Sequence, residues 1–311
     1  MKLNKPSFWD YKKPNFLAYI LLPLTFPILI RNFFAKSFSK ESFHKIKTIC
    51  VGNIYIGGTG KTPLSIKINN LIKAQGLKST VIKKFYNDQS DEQSLIKNYT
   101  NLICKKNRLD ALKDAINQNF EFAIFDDGLQ EKSISYDLKI VCFNNLQWKG
   151  NGFLIPAGPL REKIESLKNF DVIILNGDQK KNQDILNEIK QLNNSINIFE
   201  TFYKPMNLKE FDNNANYVAF TGIGNSENFY NTIIENKFKI IKKFSFPDHY
   251  TYSDNDLKKI LNYAKNNNAK IITTEKDYLR LNSNFTQDVK YLKLELVIPD
   301  EKKLINILIK K

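Results

Sequence analysis

Between residues 51 and 63 the chain reads Val-Gly-Asn-Ile-Tyr-Ile-Gly-Gly-Thr-Gly-Lys-Thr-Pro. Glycines at 57, 58 and 60 permit backbone conformations in which successive N–H groups converge on one anion, and a helix opening at Lys61 would add its dipole. Lys61 is then placed to reach the β- and γ-phosphates of a nucleotide, and the Thr62 hydroxyl to ligate Mg²⁺. Gly57, Gly58, Thr59, Gly60, Lys61 and Thr62 therefore form the expected nucleotide-binding set, with ATP and Mg²⁺ as cofactors. The strict GxxxxGK[ST] spacing asks for glycine where Tyr55 stands, so the loop is a variant. A glycine-rich turn that binds nothing is the competing reading. It is disfavoured because the Gly-Lys-Thr run falls in register with a strand before it and a helix after it.

Such a loop needs a carboxylate at the end of a neighbouring strand. The run Phe122-Ala123-Ile124-Phe125-Asp126-Asp127 supplies one, with Asp126 or Asp127 on the metal directly or through water. Three cysteines stand far apart without CxxC spacing, and His44 and His249 are the only histidines, so a disulfide framework and a His-rich zinc site are both disfavoured. The formal charge of +15 would suit nucleic acid, yet helicase motifs and a stacking surface are lacking, and no nucleic-acid partner is expected. Only Arg31, Arg108, Arg161 and Arg280 are arginines in this lysine-rich chain. Those four are candidates for forked contacts that lysine cannot copy.

The elements that would carry these residues alternate. Strand patterns fall at 46–52, 78–85, 120–126, 137–143, 170–176, 217–222, 270–276 and 290–296, and helical patterns at 61–75, 108–118, 181–192, 226–236 and 254–266. That alternation predicts an α/β fold of P-loop NTPase type, a mostly parallel sheet with helices on both faces, plus a second, smaller α/β domain. The polar stretch from Lys204 to Asn216 sets the expected boundary, giving a P-loop core over 36–208 and a smaller domain over 209–311. Ahead of both, residues 14–30 carry no charge but are interrupted by Pro23 and Pro27. A crossing helix needs about 20 apolar residues, so residues 1–35 are expected to lie at a membrane interface, peripheral or monotopic, with Trp9, Tyr11 and Tyr19 as anchors. Lys2, Lys5, Lys12 and Lys13 before the segment and Arg31, Lys36 and Lys40 after it would meet an anionic surface.

The ordered blocks GGTGKTP, DDGLQ, NGFLIPAGPLRE, FTGIGN, FPDHY and TTEKD resemble those of the lipid A 4'-kinase (tetraacyldisaccharide 4'-kinase) family over roughly residues 15–280. Two weaker blocks depart from the family form: Ser90-Asp91-Glu92-Gln93 stands for GDEP, and Lys84-Phe85-Tyr86 for RGY. The resemblance implies transfer of the γ-phosphate of ATP to the 4'-hydroxyl of a tetraacylated glucosamine disaccharide 1-phosphate at the cytoplasmic face of an inner membrane. It also implies Asp91 as general base, His249 as its partner, and Glu162 near metal and phosphates, with no obligate protein partner. Arg161 beside Glu162 is expected on a phosphate; Arg108 is expected either there or on the surface. The alternative is a membrane-bound ATPase or GTPase switch. Against it, Thr274-Glu275-Lys276-Asp277 misplaces the lysine of a guanine-reading NKxD, and Gly222-Ile223-Gly224 lacks the third glycine of a dinucleotide fingerprint.

Overall fold

In a computed structural model of the chain, the described residues are 5–34, 43, 45–86, 89–131, 133–178, 182–248 and 250–310, with the side chains of 31, 33 and 34 outside that set. Two expectations therefore fall outside it: His249, and the flanking charges of Lys2, Arg31, Lys36 and Lys40. The described residues form two compact units, the larger built from 5–85, 99–202 and 296–310, the smaller from 86–98 and 203–295.

Before the sheet of the larger unit come α1 (Phe16–Leu21) and α2 (Phe26–Phe34), separated by a 3-10 turn over Leu22–Thr25 that carries Pro23. Proline removes a helical N–H, and the single apolar run is accordingly split. Among the described residues no helix is long and apolar enough to cross a membrane. Then follow β1 (Lys47–Gly52), α3 (Lys61–Ala74), β2 (Ser79–Lys84), α4 (Ser90–Tyr99), β3 (Leu102–Lys105), α5 (Arg108–Asn117), β4 (Phe122–Asp126), β5 (Leu138–Asn144), β6 (Val172–Asn176), α6 (Gln183–Leu192) and β7 (Asn197–Pro205).

The smaller unit contributes β8 (Asn216–Thr221), α7 (Ser226–Glu235), β9 (Lys239–Ser245), α8 (Asp254–Asn266), β10 (Ala269–Thr274), α9 (Glu275–Tyr278), α10 (Ser283–Thr286) and β11 (Val289–Leu292), before β12 (Leu294–Val297) and α11 (Glu301–Ile309) close the chain.

The larger sheet has the order β12-β7-β6-β5-β1-β4-β2-β3, and its pairings from β3 across to β7 are parallel. Its central strands are buried on both faces and read as unbroken apolar runs, as parallel strands must when helices cover both sides. Cys50, Phe125, Val141 and Phe143 pack with Ala111, Leu112 and Ala115 of α5 and Ile185 and Ile189 of α6. The alternate residues Ile49, Val51, Ile124 and Ile140 point to the opposite face and are equally buried, where α3 lies against β1, β2 and β4. The smaller sheet, β11-β10-β8-β9, is wholly parallel. Its Tyr217 and Ala219 pack on α7, while Val218 and Phe220 pack on α8.

Four boundaries differ from expectation. The segment 86–98, with α4, belongs to the smaller unit although it lies in sequence within the larger. The expected strand over 290–296 is two: Lys293 is tied through its N–H to Asn207 Oδ1 (2.9 Å) and through its carbonyl to Met206 N (2.9 Å), which separates β11 from β12. The last residues return to the larger unit, with Leu304 and Leu308 buried and Glu301 paired to Lys67 of α3 at 2.6 Å. The amino-terminal segment, expected as a separate piece, also packs into the larger unit. Leu304→Ala should thus cost about 2–5 kcal/mol and speed amide exchange in α3 while leaving α8 protected, a pattern that exchange read by mass spectrometry would resolve.

Candidate active site

Strand β1 delivers the glycine loop. Gly60, at φ 87°, caps the start of α3 and, having no side chain, leaves the first-turn N–H groups without a cap of the usual kind, the arrangement in which a helix start can receive an anion. The loop backbone is braced from outside: Asn53 Nδ2 donates to the Gly57 carbonyl (3.3 Å) and Gln130 Nε2 to the Asn53 carbonyl (3.3 Å). The N–H of Ile56 reaches the Pro159 carbonyl (2.9 Å), and that of Arg161 the Ile54 carbonyl (2.7 Å). Inside the loop the buried Thr59 hydroxyl has no hydrogen-bond partner among the described residues. An orphaned buried hydroxyl is costly, and a loop that leaves one is shaped for a bound group.

Strands β1 and β4 are parallel neighbours in register, Val51 beside Asp126, so the loop and the paired aspartates emerge from adjacent carboxyl ends. The two aspartates do different work. Asp126 is fully buried and accepts from Thr62 Oγ1 (3.0 Å), Ser65 Oγ (3.2 Å) and Lys83 Nζ of β2 (2.7 Å). Asp127 stands partly exposed, with Lys61 Nζ at 3.8 Å and Arg161 Nη1 at 3.4 Å from Oδ1. Burial opposes its charge, but Lys61, Arg161, Lys83 and Arg108 outweigh that and hold its carboxyl below the usual range. Its φ of 56° lies in the left-handed region, which Asp tolerates, and Arg108 Nη2 fixes this by donating to its carbonyl (2.7 Å). Gly128 must follow, because a Cβ there would meet Cys50 Sγ at 2.9 Å and Phe125 Cβ at 3.0 Å.

The NGFLIPAGPLRE block is the brace. Asn151 Nδ2 donates to the Ala157 carbonyl (2.9 Å) and its Oδ1 accepts from Phe153 N (3.1 Å), folding the block on itself. The outer side receives the amino-terminal segment: Trp9 Nε1 donates to the Pro156 carbonyl (3.0 Å), Asn151 N to the Trp9 carbonyl (2.9 Å), and Tyr19 packs edge-on to Phe153. Tyr55, where a glycine was expected, is fully buried with Leu154 and Leu160 against Ile28 and Leu29, and its hydroxyl meets Asp10 and Lys5 (2.7 Å from Nζ).

In the smaller unit Asp91, in the first turn of α4, is 3% exposed rather than a solvated loop carboxylate. Its Oδ2 accepts from Arg280 Nε (3.0 Å) and Nη2 (2.5 Å), with Lys276 Nζ at 3.6 Å. Lys276 also meets Glu92 (2.9 Å) and Asp248 (3.7 Å). Burial disfavours its charge, but those three carboxylates prevail and raise its pKa. Behind Arg280, Asp277 accepts from Thr221 Oγ1 and Thr274 Oγ1 (both 2.6 Å), Gly222 N (3.0 Å), Tyr252 OH (2.8 Å) and Arg280 Nη1 (2.9 Å). The TTEKD and FTGIGN blocks are thus one polar core, and Gly222 opens an ordinary strand-to-helix turn.

The structure therefore gathers Lys61, Thr62, Asp126, Asp127, Arg161 and Arg108 at one end of the larger sheet, and rules out the surface alternative for Arg108, which is buried. Glu162 is partly exposed beside Arg161. Lys83, Ser65 and Lys276 were missed, and Arg280 was singled out only as a candidate for a forked contact, without a partner. A lysine in an otherwise apolar strand (Thr80-Val81-Ile82-Lys83) and an arginine in a lysine-rich chain were the available signals.

Residues 18–311 match the model of the family described as tetraacyldisaccharide-1-P 4'-kinase. The chain belongs to that family. It is 50% identical to the tetraacyldisaccharide 4'-kinase of Pelagibacter ubique (strain HTCC1062), covering 100% of this chain and 98% of that one. It is 33% identical to that of Rickettsia canadensis (strain McKiel), over 96% and 94%. A crystal structure of LpxK from Aquifex aeolicus in complex with ATP superposes with a TM-score of 0.70 at 22% identity, covering 94% of this chain and 98% of that one, and so shares its fold. Within this family member the Lys83–Asp126 pair is buried at both ends (4% and 0% exposed). Lys83→Ala should lower stability by about 3–5 kcal/mol by leaving Asp126 uncompensated. Urea unfolding would show it, and Lys83→Met with Asp126→Asn should recover part of the loss.

Proposed function

We propose that the protein transfers the γ-phosphate of ATP to the 4'-hydroxyl of a tetraacylated glucosamine disaccharide 1-phosphate, giving the bisphosphorylated lipid A precursor. Family membership supplies the substrate class. The observation that carries the chemistry is the Thr62–Asp126 contact at 3.0 Å at the start of the helix that follows the glycine loop, whose N-cap is Gly60. A hydroxyl and carboxylates in that arrangement are the hard oxygen donors Mg²⁺ takes alongside nucleotide phosphates. Thr62 and Asp126 would hold the ion, with Asp127 and Glu162 available to it directly or through water, and when bound it neutralises phosphate charge. Lys61 and Arg161 meet the same need from the protein, since charge spreads over the transferred group in a loose transition state. Asp91 takes the proton of the sugar hydroxyl on its carboxylate, with His249 as the partner that the family resemblance implies. Against the guanine-switch reading, Asp277 is saturated by five donors and Lys276 is spent on carboxylates, so neither reads a base.

The same reading puts the enzyme at the cytoplasmic face of an inner membrane, whose anionic surface would be its partner. Supporting this, Phe16, Leu17, Tyr19, Ile20, Leu24 and Phe26 all stand exposed on α1, α2 and the turn between them, Phe16 at 77%. A set of that size on so short a segment is the mark of an interfacial helix.

Assay of labelled phosphate moving from ATP to the lipid disaccharide tests the activity. Transfer should vanish in Lys61→Ala while the fold persists, ATP should be preferred to GTP, and absence of transfer by the unaltered protein would overturn the reading. Replacing Phe16, Leu17, Ile20 and Leu24 by serine should weaken binding to vesicles containing anionic lipid. Turnover on detergent-dispersed substrate should stay within about threefold, because the residues that seat the segment, Trp9, Asp10 and Tyr55, are untouched.

A further inference from the structure

We propose that Arg280 is a positioning residue for the phosphoryl transfer, fixing the carboxylate of Asp91 for proton abstraction; this rests on Asp91 being the base. Two nitrogens of one guanidinium, Nε and Nη2, converge on a single oxygen, Asp91 Oδ2. That contact sets both the position of the carboxylate and its rotation about Cβ–Cγ, and so the direction in which its other oxygen points. The guanidinium cannot turn to follow Asp91, because Nη1 is held by the Gly222 carbonyl (2.9 Å) and Asp277 Oδ1 (2.9 Å). Asp277 is immobile in turn, fully buried and bound by Thr221, Thr274, Tyr252 and the Gly222 N–H. Burial and the Asp277 charge keep the Tyr252 phenol protonated, so it remains a donor there.

A merely structural cation would not need this geometry. Lys276 already neutralises Asp91 from 3.6 Å and belongs with Glu92 and Asp248, so a counter-charge is present without Arg280. What Arg280 adds is direction, through a planar fork that lysine lacks, in a chain that uses arginine at only four positions. Among the described residues the groups that face Asp91 through this network include Arg280 and Lys276, and behind them Glu92, Asp248, Asp277 and Tyr252.

The experiment is a double-mutant cycle on kcat for transfer to the lipid disaccharide, with KM for ATP and the thermal midpoint recorded for each protein. Arg280→Gln should lower kcat by roughly 10²-fold, as misplacing a reacting group does, and leave KM for ATP within about twofold. Arg280→Lys should retain the thermal midpoint better but recover less than about a tenth of the lost kcat. In an Asp91→Asn background, itself down by about 10²–10⁴-fold, adding Arg280→Gln should change kcat by less than about threefold. Losses that multiply, or unchanged kcat in Arg280→Gln, would overturn the proposal while leaving the base in place. Near-normal kcat in Asp91→Asn would instead remove the base assignment and this inference with it. Should Arg280→Gln fail to fold, the same criteria apply to Arg280→Lys, and full activity there overturns the proposal.

Discussion

The carboxylate of Asp126 is the constraint on which the larger unit turns. It sits at the end of β4 with no exposure, and a lone ion there would be several kcal/mol too expensive to keep. Two elements answer it with three side chains: α3 through Thr62 and Ser65, and β2 through Lys83. The first turn of α3, and with it the exit of the glycine loop, is thereby pinned to the strand beside β1. A loop that must present backbone N–H groups in a fixed array cannot rely on its own glycines, which favour many conformations. Its shape comes from the anchor at one end and from backbone bonds to the Pro159 and Ile54 region at the other.

That second brace explains why the loop tolerates tyrosine where a glycine was expected. Tyr55 points away from the phosphate side into an apolar pocket made by Leu154, Leu160 and the amino-terminal helices. Its hydroxyl is not abandoned there, because Asp10 and Lys5 receive it, and burial together with the neighbouring Asp10 keeps it protonated. The residue that breaks the motif is the one that ties the glycine loop to the apolar segment. Burial of Tyr55 consumes one side of that segment, and the other side keeps its large apolar residues in the open.

Much of this was legible in the sequence, because the phosphate loop and the paired aspartates sit where an apolar strand meets a run of turn residues. Strands buried on both faces announce themselves as apolar runs, which is why β1, β4, β5 and β6 were readable. Strand β9 was not: Lys239-Ile240-Ile241-Lys242-Lys243 is an edge, and lysines there obscure the alternation while discouraging pairing with other chains. Helix α4 was hidden by its polar face and by Asp91, a buried acid that any composition rule assigns to solvent. Its membership in the smaller unit follows from ion pairs with Lys276 and Arg280, nearly two hundred residues away in sequence, and no local pattern encodes such a partner.

The choice between the two basic residues follows the same physics throughout. Where one buried carboxylate needs only a counter-charge, lysine serves, as Lys83 does for Asp126 through a single contact at 2.7 Å. Where the direction of an acceptor matters, the chain spends an arginine. Arg108 holds the carbonyl of a residue in the left-handed region, Arg161 spans Asp127 and Gln130, and Arg280 spans Asp91, Asp277 and a backbone carbonyl. A lysine at position 280 would keep the charge and lose the fork, since its ammonium is a point charge on a flexible stem. In a composition so heavily drawn toward lysine, Arg280 stands where geometry, and not charge alone, is required.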